Sequence, residues 1–177
     1  PFKGNDVKIA EDGEILVKGE NVMLGYWNNE EETKKVLKDG WLYTGDIGVF
    51  ENGYLKITDR KKDILITPGG DNISPVKIEN ELSNSNLIDQ SIVYGDNKPY
   101  LVALLVLSEE NLNITNEKIE KEINKVNQNL SKIENIKKFF IVKEKFSIEN
   151  GMLTPTLKLK RYKIVQKYKN DFEKLYK

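Results

Sequence analysis

Gly40-Trp41-Leu42-Tyr43-Thr44-Gly45-Asp46 sets a glycine directly before an aspartate. A glycine lets backbone approach a ligand closely, and one carboxylate can accept hydrogen bonds from two vicinal hydroxyls, the pattern a ribose offers. Asp59-Arg60-Lys61-Lys62-Asp63 places an arginine in a dense run of charge. Its guanidinium can donate to a ribose or a phosphate as a fork. Near the end, Leu153-Thr154-Pro155-Thr156-Leu157-Lys158-Leu159-Lys160-Arg161 carries lysines on what reads as a loop, where a point charge can reach a phosphate. Taken alone, each stretch has a plainer reading, and the plainer reading wins. Asp46 caps a turn, the charged run is a solvated linker, and the last is a basic surface strand or a weak nucleic-acid or membrane patch.

Composition narrows the chemistry. The chain has 177 residues, with 38% hydrophobic and 32% charged, which fits a soluble globular protein of one domain or two small ones. Net charge is zero, so no global field argues for nucleic acid or an acidic membrane. There is no cysteine and no histidine, which excludes a disulfide framework, a thiolate nucleophile, a Ser-His-Asp triad and most zinc sites. No apolar run approaches the roughly 20 residues that span a bilayer. No signal peptide is visible, so the cytoplasm is the default location. The first residue is Pro, which reads as a piece of a longer protein or a processed one.

The elements that must hold these residues follow from periodicity and punctuation. Glu14 to Lys18 reads as a strand. Asn29 before Glu30, Glu31 and Glu32 predicts an N-cap and a short helix to about Lys38, ended by Asp39-Gly40. Ile47 to Phe50 and Tyr54 to Thr58 read as strands joined by Asn52-Gly53, a strong hairpin signal. Ile64 to Ile66 is strand-like, and Ser74-Pro75 opens a helix carrying Val76, Ile78 and Leu82. Asp89 to Tyr94 and the wholly apolar Leu101 to Leu107 read as strands, the second buried on both faces. Asn116 is the expected cap of a helix with Ile119, Ile123, Val126 and Leu130 on one side. Lys137 to Val142 is a further strand, and Phe146 to Leu159 reads as an exposed loop. A last helix from about Arg161 presents Ile164, Tyr168, Phe172 and Leu175 as a stripe. The fold class is α+β. A small β-rich unit with one helix is followed by a compact unit with a roughly three-stranded sheet and covering helices.

The order of the stretches adds what none carries alone. GYW, WLYTGD, DRKKDILITPGG, SPVKIE and TPTLKLKR follow one another along the whole chain. The chain thereby resembles the C-terminal portion of the AMP-forming acyl-CoA synthetases of the adenylate-forming superfamily. DRKKD, GG-x-NISP and TPTLKLKR are in the style of the bacterial long-chain fatty-acid CoA ligases.

That resemblance implies a two-step ligase using ATP, Mg2+ and CoA, with a long-chain fatty acid as the third partner and no nucleic acid. Residues 1–58 would be the distal end of the large N-terminal adenylation domain, 59–62 a hinge, and 63–177 a mobile C-terminal domain. Asp46 and Arg60 match the ribose ligands, with Tyr43 and Thr44 beside them in the ATP/AMP site. Lys62 matches the hinge position, and Lys158 the catalytic lysine that reaches the phosphate during adenylation. Gly69 and Gly70 match the glycines beside the CoA pantetheine. Asp71 departs from the lysine common at that position, which puts a CoA-phosphate contact there in doubt. The magnesium ligands, the phosphate-binding loop and the acyl pocket would lie upstream, so this stretch alone is expected to be inactive. The isolated piece is expected to expose apolar surface and favour dimers. Peripheral membrane association stays open. The alternatives are an acyl-AMP ligase that loads a carrier protein, and a non-enzymatic basic module built on Lys158, Lys160, Arg161, Lys163 and Lys167.

Overall fold

The computed structural model describes residues 3–112 and 114–177. The chain divides into two compact units, one ending at Ile64 and one spanning Leu65–Lys177. Both contain helices and sheets, and the fold is α+β.

In the first unit β1 (Asn5–Ile9) and β2 (Glu14–Gly19) pair antiparallel, in a register that sets Val7 opposite Val17. The sequence reading has no strand before Glu14. β1 is short and half-exposed, and its pairing with β2 rather than its own propensity makes it a strand. The helix α1 (Glu30–Val36) starts where expected. The Asn29 side chain accepts from the Glu32 amide at 3.1 Å, and three acids occupy the first turn. It stops earlier than expected, because Leu37 and Lys38 become β3 (Leu37–Lys38) and pair with Leu42 and Trp41. The long β4 (Trp41–Glu51) has β2 along one edge; β3 and then β5 (Tyr54–Arg60) occupy the other. Two hairpins are turned by Asp39-Gly40 and Asn52-Gly53, each pair at positive φ, as a two-residue turn matching strand twist requires.

The second unit opens with a small hairpin, β6 (Leu65–Ile66) and β7 (Asn72–Ile73). α2 (Pro75–Ser83) follows, capped by the Ser74 hydroxyl accepting from the Lys77 amide at 3.0 Å. The sheet is β8 (Ile88–Tyr94), β9 (Leu101–Leu107) and β10 (Ile136–Val142). β9 is central, antiparallel to β8 and parallel to β10. Every residue of β9 is buried. Leu101, Ala103, Leu105 and Leu107 face one core with Leu65, Ile73, α2 and α3 (Asn116–Gln128). Val102, Leu104 and Val106 face the other, with Phe146, Met152, Leu153, Ile164 and Phe172. Period-two alternation thus builds two cores on one strand.

Three local expectations are corrected. The N-cap of α3 is Thr115, and Asn116 is its first helical residue. The stretch Phe146 to Leu159 is not an exposed loop: Phe146, Met152 and Leu153 are buried. Its anchors are irregularly spaced and leave no periodic signal. The Gln90 amide fixes Phe146 by donating to its carbonyl at 3.0 Å and accepting from its N–H at 2.7 Å. The last helix is two, α4 (Arg161–Lys167) and α5 (Lys169–Lys174), broken at Tyr168, whose ψ of 16° leaves the helical region. Ile164, Tyr168, Phe172 and Leu175 still pack on the same core.

Candidate functional site

Asp46 and Arg60 face each other directly across the β4–β5 ladder. The Arg60 Nε lies 2.7 Å from Asp46 Oδ1. The aspartate side chain is 25% exposed and the arginine 58%, so the pair is presented outward. Gly45 precedes Asp46 at φ +72°, a conformation costly for any residue with a Cβ, and its backbone turn aims the following aspartate. Thr44 is turned into the sheet. Its hydroxyl donates to the Ile15 carbonyl at 2.8 Å and accepts from the Asp46 amide at 3.1 Å. Tyr43 pairs with Leu16 in the ladder and has the Lys38 ammonium 4.9 Å from its ring centre. A cleft of about 530 Å³ opens here, lined by Tyr26, Lys38, Tyr43, Thr44, Gly45 and Glu14 among others.

Sequence reasoning gave no role to Glu14, Asp12 or Lys61. Glu14 is a buried carboxylate at the head of β2. It accepts from the Gly45 amide at 2.8 Å and from the Lys61 ammonium at 2.8 Å. Lys61 also donates to Asp12 at 2.6 Å. The bonds to Asp12 and Glu14 push the Lys61 pKa up, and the Lys61 bond pulls the Asp12 carboxyl down. The available signal was an acid at the first position of a strand whose next residues, Ile15 and Leu16, are core. Lys62 sits in a short 3-10 turn, Lys61–Asp63, which begins immediately after Arg60.

In the second unit Gly69 and Gly70 form the tip of the β6–β7 hairpin. The Thr67 hydroxyl donates to the Asp71 carboxylate at 3.0 Å and accepts from the Asp71 amide at 3.0 Å, which closes the loop. Asp71, the departure noted in the sequence, therefore has a local task. Gly70 has φ +88° and open space where a Cβ would point. The hairpin flanks a cleft of about 440 Å³ lined by Thr67, Gly69, Tyr100, Lys132 and Lys137 among others.

Lys158 lies on a tight loop. The Thr154 amide donates to the Lys158 carbonyl at 2.8 Å, the Lys158 amide donates to the Thr154 hydroxyl at 3.0 Å, and Leu153 bridges Leu159. Leu157 takes φ +61° at the turn. Lys158 is exposed, and its ammonium makes no hydrogen bond or ion pair among the described residues. The loop is held from behind by Arg161, which donates to the Glu79 carboxylate at 2.5 and 2.7 Å and to the Val93 carbonyl at 3.0 Å. Gly69 and Lys158 belong to opposite layers of one sheet. The glycine hairpin packs Leu65 and Ile73 on one core, while the lysine loop packs Leu153 on the other.

Among the described residues no group of three acidic side chains could hold a metal ion. Among the described residues no helix is long and apolar enough to cross a membrane.

These features fit one family. The description "AMP-binding enzyme C-terminal domain" matches residues 62–177. The chain belongs to that family of adenylate-forming enzymes. It is 37% identical over 198 residues to long-chain-fatty-acid–CoA ligase FadD15 of Mycobacterium tuberculosis, an alignment covering 99% of this chain and 33% of that protein. It is 38% identical over 196 residues to long-chain-fatty-acid–CoA ligase 5 of Rattus norvegicus, covering 97% and 29%. The A domain of carboxylic acid reductase from Segniliparus rugosus, solved with AMP and a co-purified carboxylic acid, superposes with a TM-score of 0.88 at 25% identity, over 99% of this chain and 32% of that one. O-succinylbenzoate Coenzyme A Synthetase from Bacillus subtilis, solved with AMP, gives 0.73 at 30% identity over 93% and 34%. The chain spans about a third of the length of the curated relatives it matches.

Proposed function

We propose that this chain is the C-terminal part of an AMP-forming long-chain fatty-acid CoA ligase. The observation that carries the reading is the Asp46–Arg60 pair, two residues that the motifs single out separately and the ladder sets 2.7 Å apart. In the reaction, a fatty-acid carboxylate oxygen bonds to the α-phosphorus of ATP and the bond to pyrophosphate breaks. The CoA sulfur then bonds to the acyl carbon as its proton is lost, and AMP leaves. Asp46 would accept from both ribose hydroxyls through the oxygen not paired with Arg60, while Arg60 donates to the same sugar. Lys158 would stabilise charge on the transferring phosphoryl group, the usual task of a cation in that chemistry. Gly69 and Gly70 would line the path of the CoA thiol, where the absence of side chains leaves room. Lys62 would be the pivot. The placement of the lysine loop and the glycine hairpin in opposite layers supports a domain that offers one face to each half-reaction.

The names of the relatives favour the long-chain CoA ligase over other adenylate-formers. CoA-dependent thioester formation from a long-chain fatty acid by the full-length protein tests this. A thioester formed on a carrier protein and none on CoA would instead identify the acyl-AMP ligase. The basic-module reading is not favoured, because Arg161 and Lys167 are engaged with Glu79 and Glu144.

A further inference from the structure

Glu14 plays no part in the chemistry above, yet its side chain is only 5% exposed. A buried carboxylate is costly unless it is paired and hydrogen-bonded. Its two oxygens are divided between two partners. Oε1 takes the Gly45 amide, and Oε2 takes the Lys61 ammonium, each at 2.8 Å. Gly45 is the residue before Asp46, and Lys61 is the residue after Arg60. One side chain therefore grips the immediate neighbours of both members of the outward-facing pair. Asp12 completes the frame by accepting from Lys61 at 2.6 Å and from the Glu14 amide at 3.1 Å.

The consequence is geometric. Gly45 is a permissive backbone position within β4, at φ +72°, and Arg60 is more than half exposed. Both would otherwise sample several arrangements, and a ligand would have to select one. Fixing the Gly45 amide fixes the peptide that aims Asp46. Fixing Lys61 ends β5 at a defined point, so Arg60 stays opposite Asp46 and any pivoting is left to residues from Lys62 onward.

We propose that Glu14 is a positioning residue for the nucleotide, acting through Gly45 and Lys61 to preorganise the Asp46–Arg60 pair for a ribose. This rests on the reading of that pair as the ribose clamp. The test uses the full-length protein and reads four quantities: AMP dissociation constant, ATP KM, kcat of ATP–pyrophosphate exchange, and melting temperature. Glu14→Gln keeps the shape and an acceptor for Gly45 but loses the charge on Lys61. Lys61→Met removes the ammonium from a half-exposed site, so it remains informative if Glu14→Gln folds poorly. Each is expected to weaken AMP binding and raise the ATP KM by about tenfold, as for loss of a charged hydrogen bond. The carboxylate KM should hold, and kcat should stay within about twofold. The double variant should be no worse than the worse single one, because both remove one interaction. Lys61→Arg should recover most of the affinity.

An unchanged AMP constant in both variants overturns the proposal. So do strictly additive effects, or a fall in kcat and melting temperature without a change in nucleotide affinity. Failure of the wild type to bind AMP overturns the proposal and the ribose clamp together. A wild type that binds AMP but exchanges with no fatty acid sinks only the fatty-acid reading, and the AMP constants still decide on Glu14.

Discussion

As the proposed ribose clamp, Asp46 and Arg60 would suit a sugar because each is only half-committed to the other. The ion pair joins Arg60 Nε to Asp46 Oδ1, so the second carboxylate oxygen and the terminal guanidinium N–H groups are not used by that contact. Asp46→Ala should weaken AMP binding by the full-length protein at least about tenfold, since two charge-assisted hydrogen bonds are lost. Titration calorimetry measures this, and an unchanged constant removes Asp46 from the clamp. Gly45→Ala meets no atom within 4 Å, so its cost is the left-handed backbone alone, about 1–2 kcal/mol, read from denaturant unfolding. Both residues were singled out from the order in which TGD and DRKKD follow one another along the chain, since each stretch alone has a plainer reading. Glu14 and Asp12 were not, because their meaning is set by a sheet register that brings the start of β2 to Gly45 and Lys61, far along the chain.

Among the elements, β9 carries the second unit. Leu104 is completely buried between its neighbours, and Leu104→Ala should cost about 3 kcal/mol of stability. The α2–α4 connection depends on the Arg161–Glu79 pair, whose side chains are 15% and 11% exposed. Arg161→Met leaves Glu79 without that cation in a mostly dry site and should cost about 3 kcal/mol, read from urea unfolding. Glu134 adds a pH dependence. Desolvation pushes its pKa up, but hydrogen bonds from Lys77 and from the Ser131 hydroxyl and amide outweigh it and hold the pKa below the ordinary 4.5. The folded state thus favours the charged form. Its contribution is fully present above the unfolded value and is lost as pH falls through the depressed folded one. Urea unfolding between about pH 3 and pH 6 should show this loss, and Glu134→Gln should flatten it. These elements were legible to different degrees. The continuous apolar run of β9 and the Ser74-Pro75 cap speak for themselves. The 146–159 stretch does not, because a chain pinned by single buried anchors and side-chain amides has no period to read.

At the scale of the whole molecule, this chain aligns with about a third of a long-chain ligase and contains no cluster for a metal among its described residues. Acting alone it should not form acyl-AMP, and activity should need the remaining length of the enzyme. In the proposed cycle one unit brings Lys158 to the phosphate in the first half-reaction and its glycine hairpin to CoA in the second. The decisive measurement is fatty-acid-dependent ATP–pyrophosphate exchange by the full-length protein, wild type beside Lys158→Ala, with thioester formation from supplied acyl-AMP scored separately. Exchange should fall by at least about a hundredfold in the variant, the scale for losing a preorganised charge on a transferring group, while thioester formation survives. A variant that exchanges like the wild type would remove Lys158 from the adenylation step.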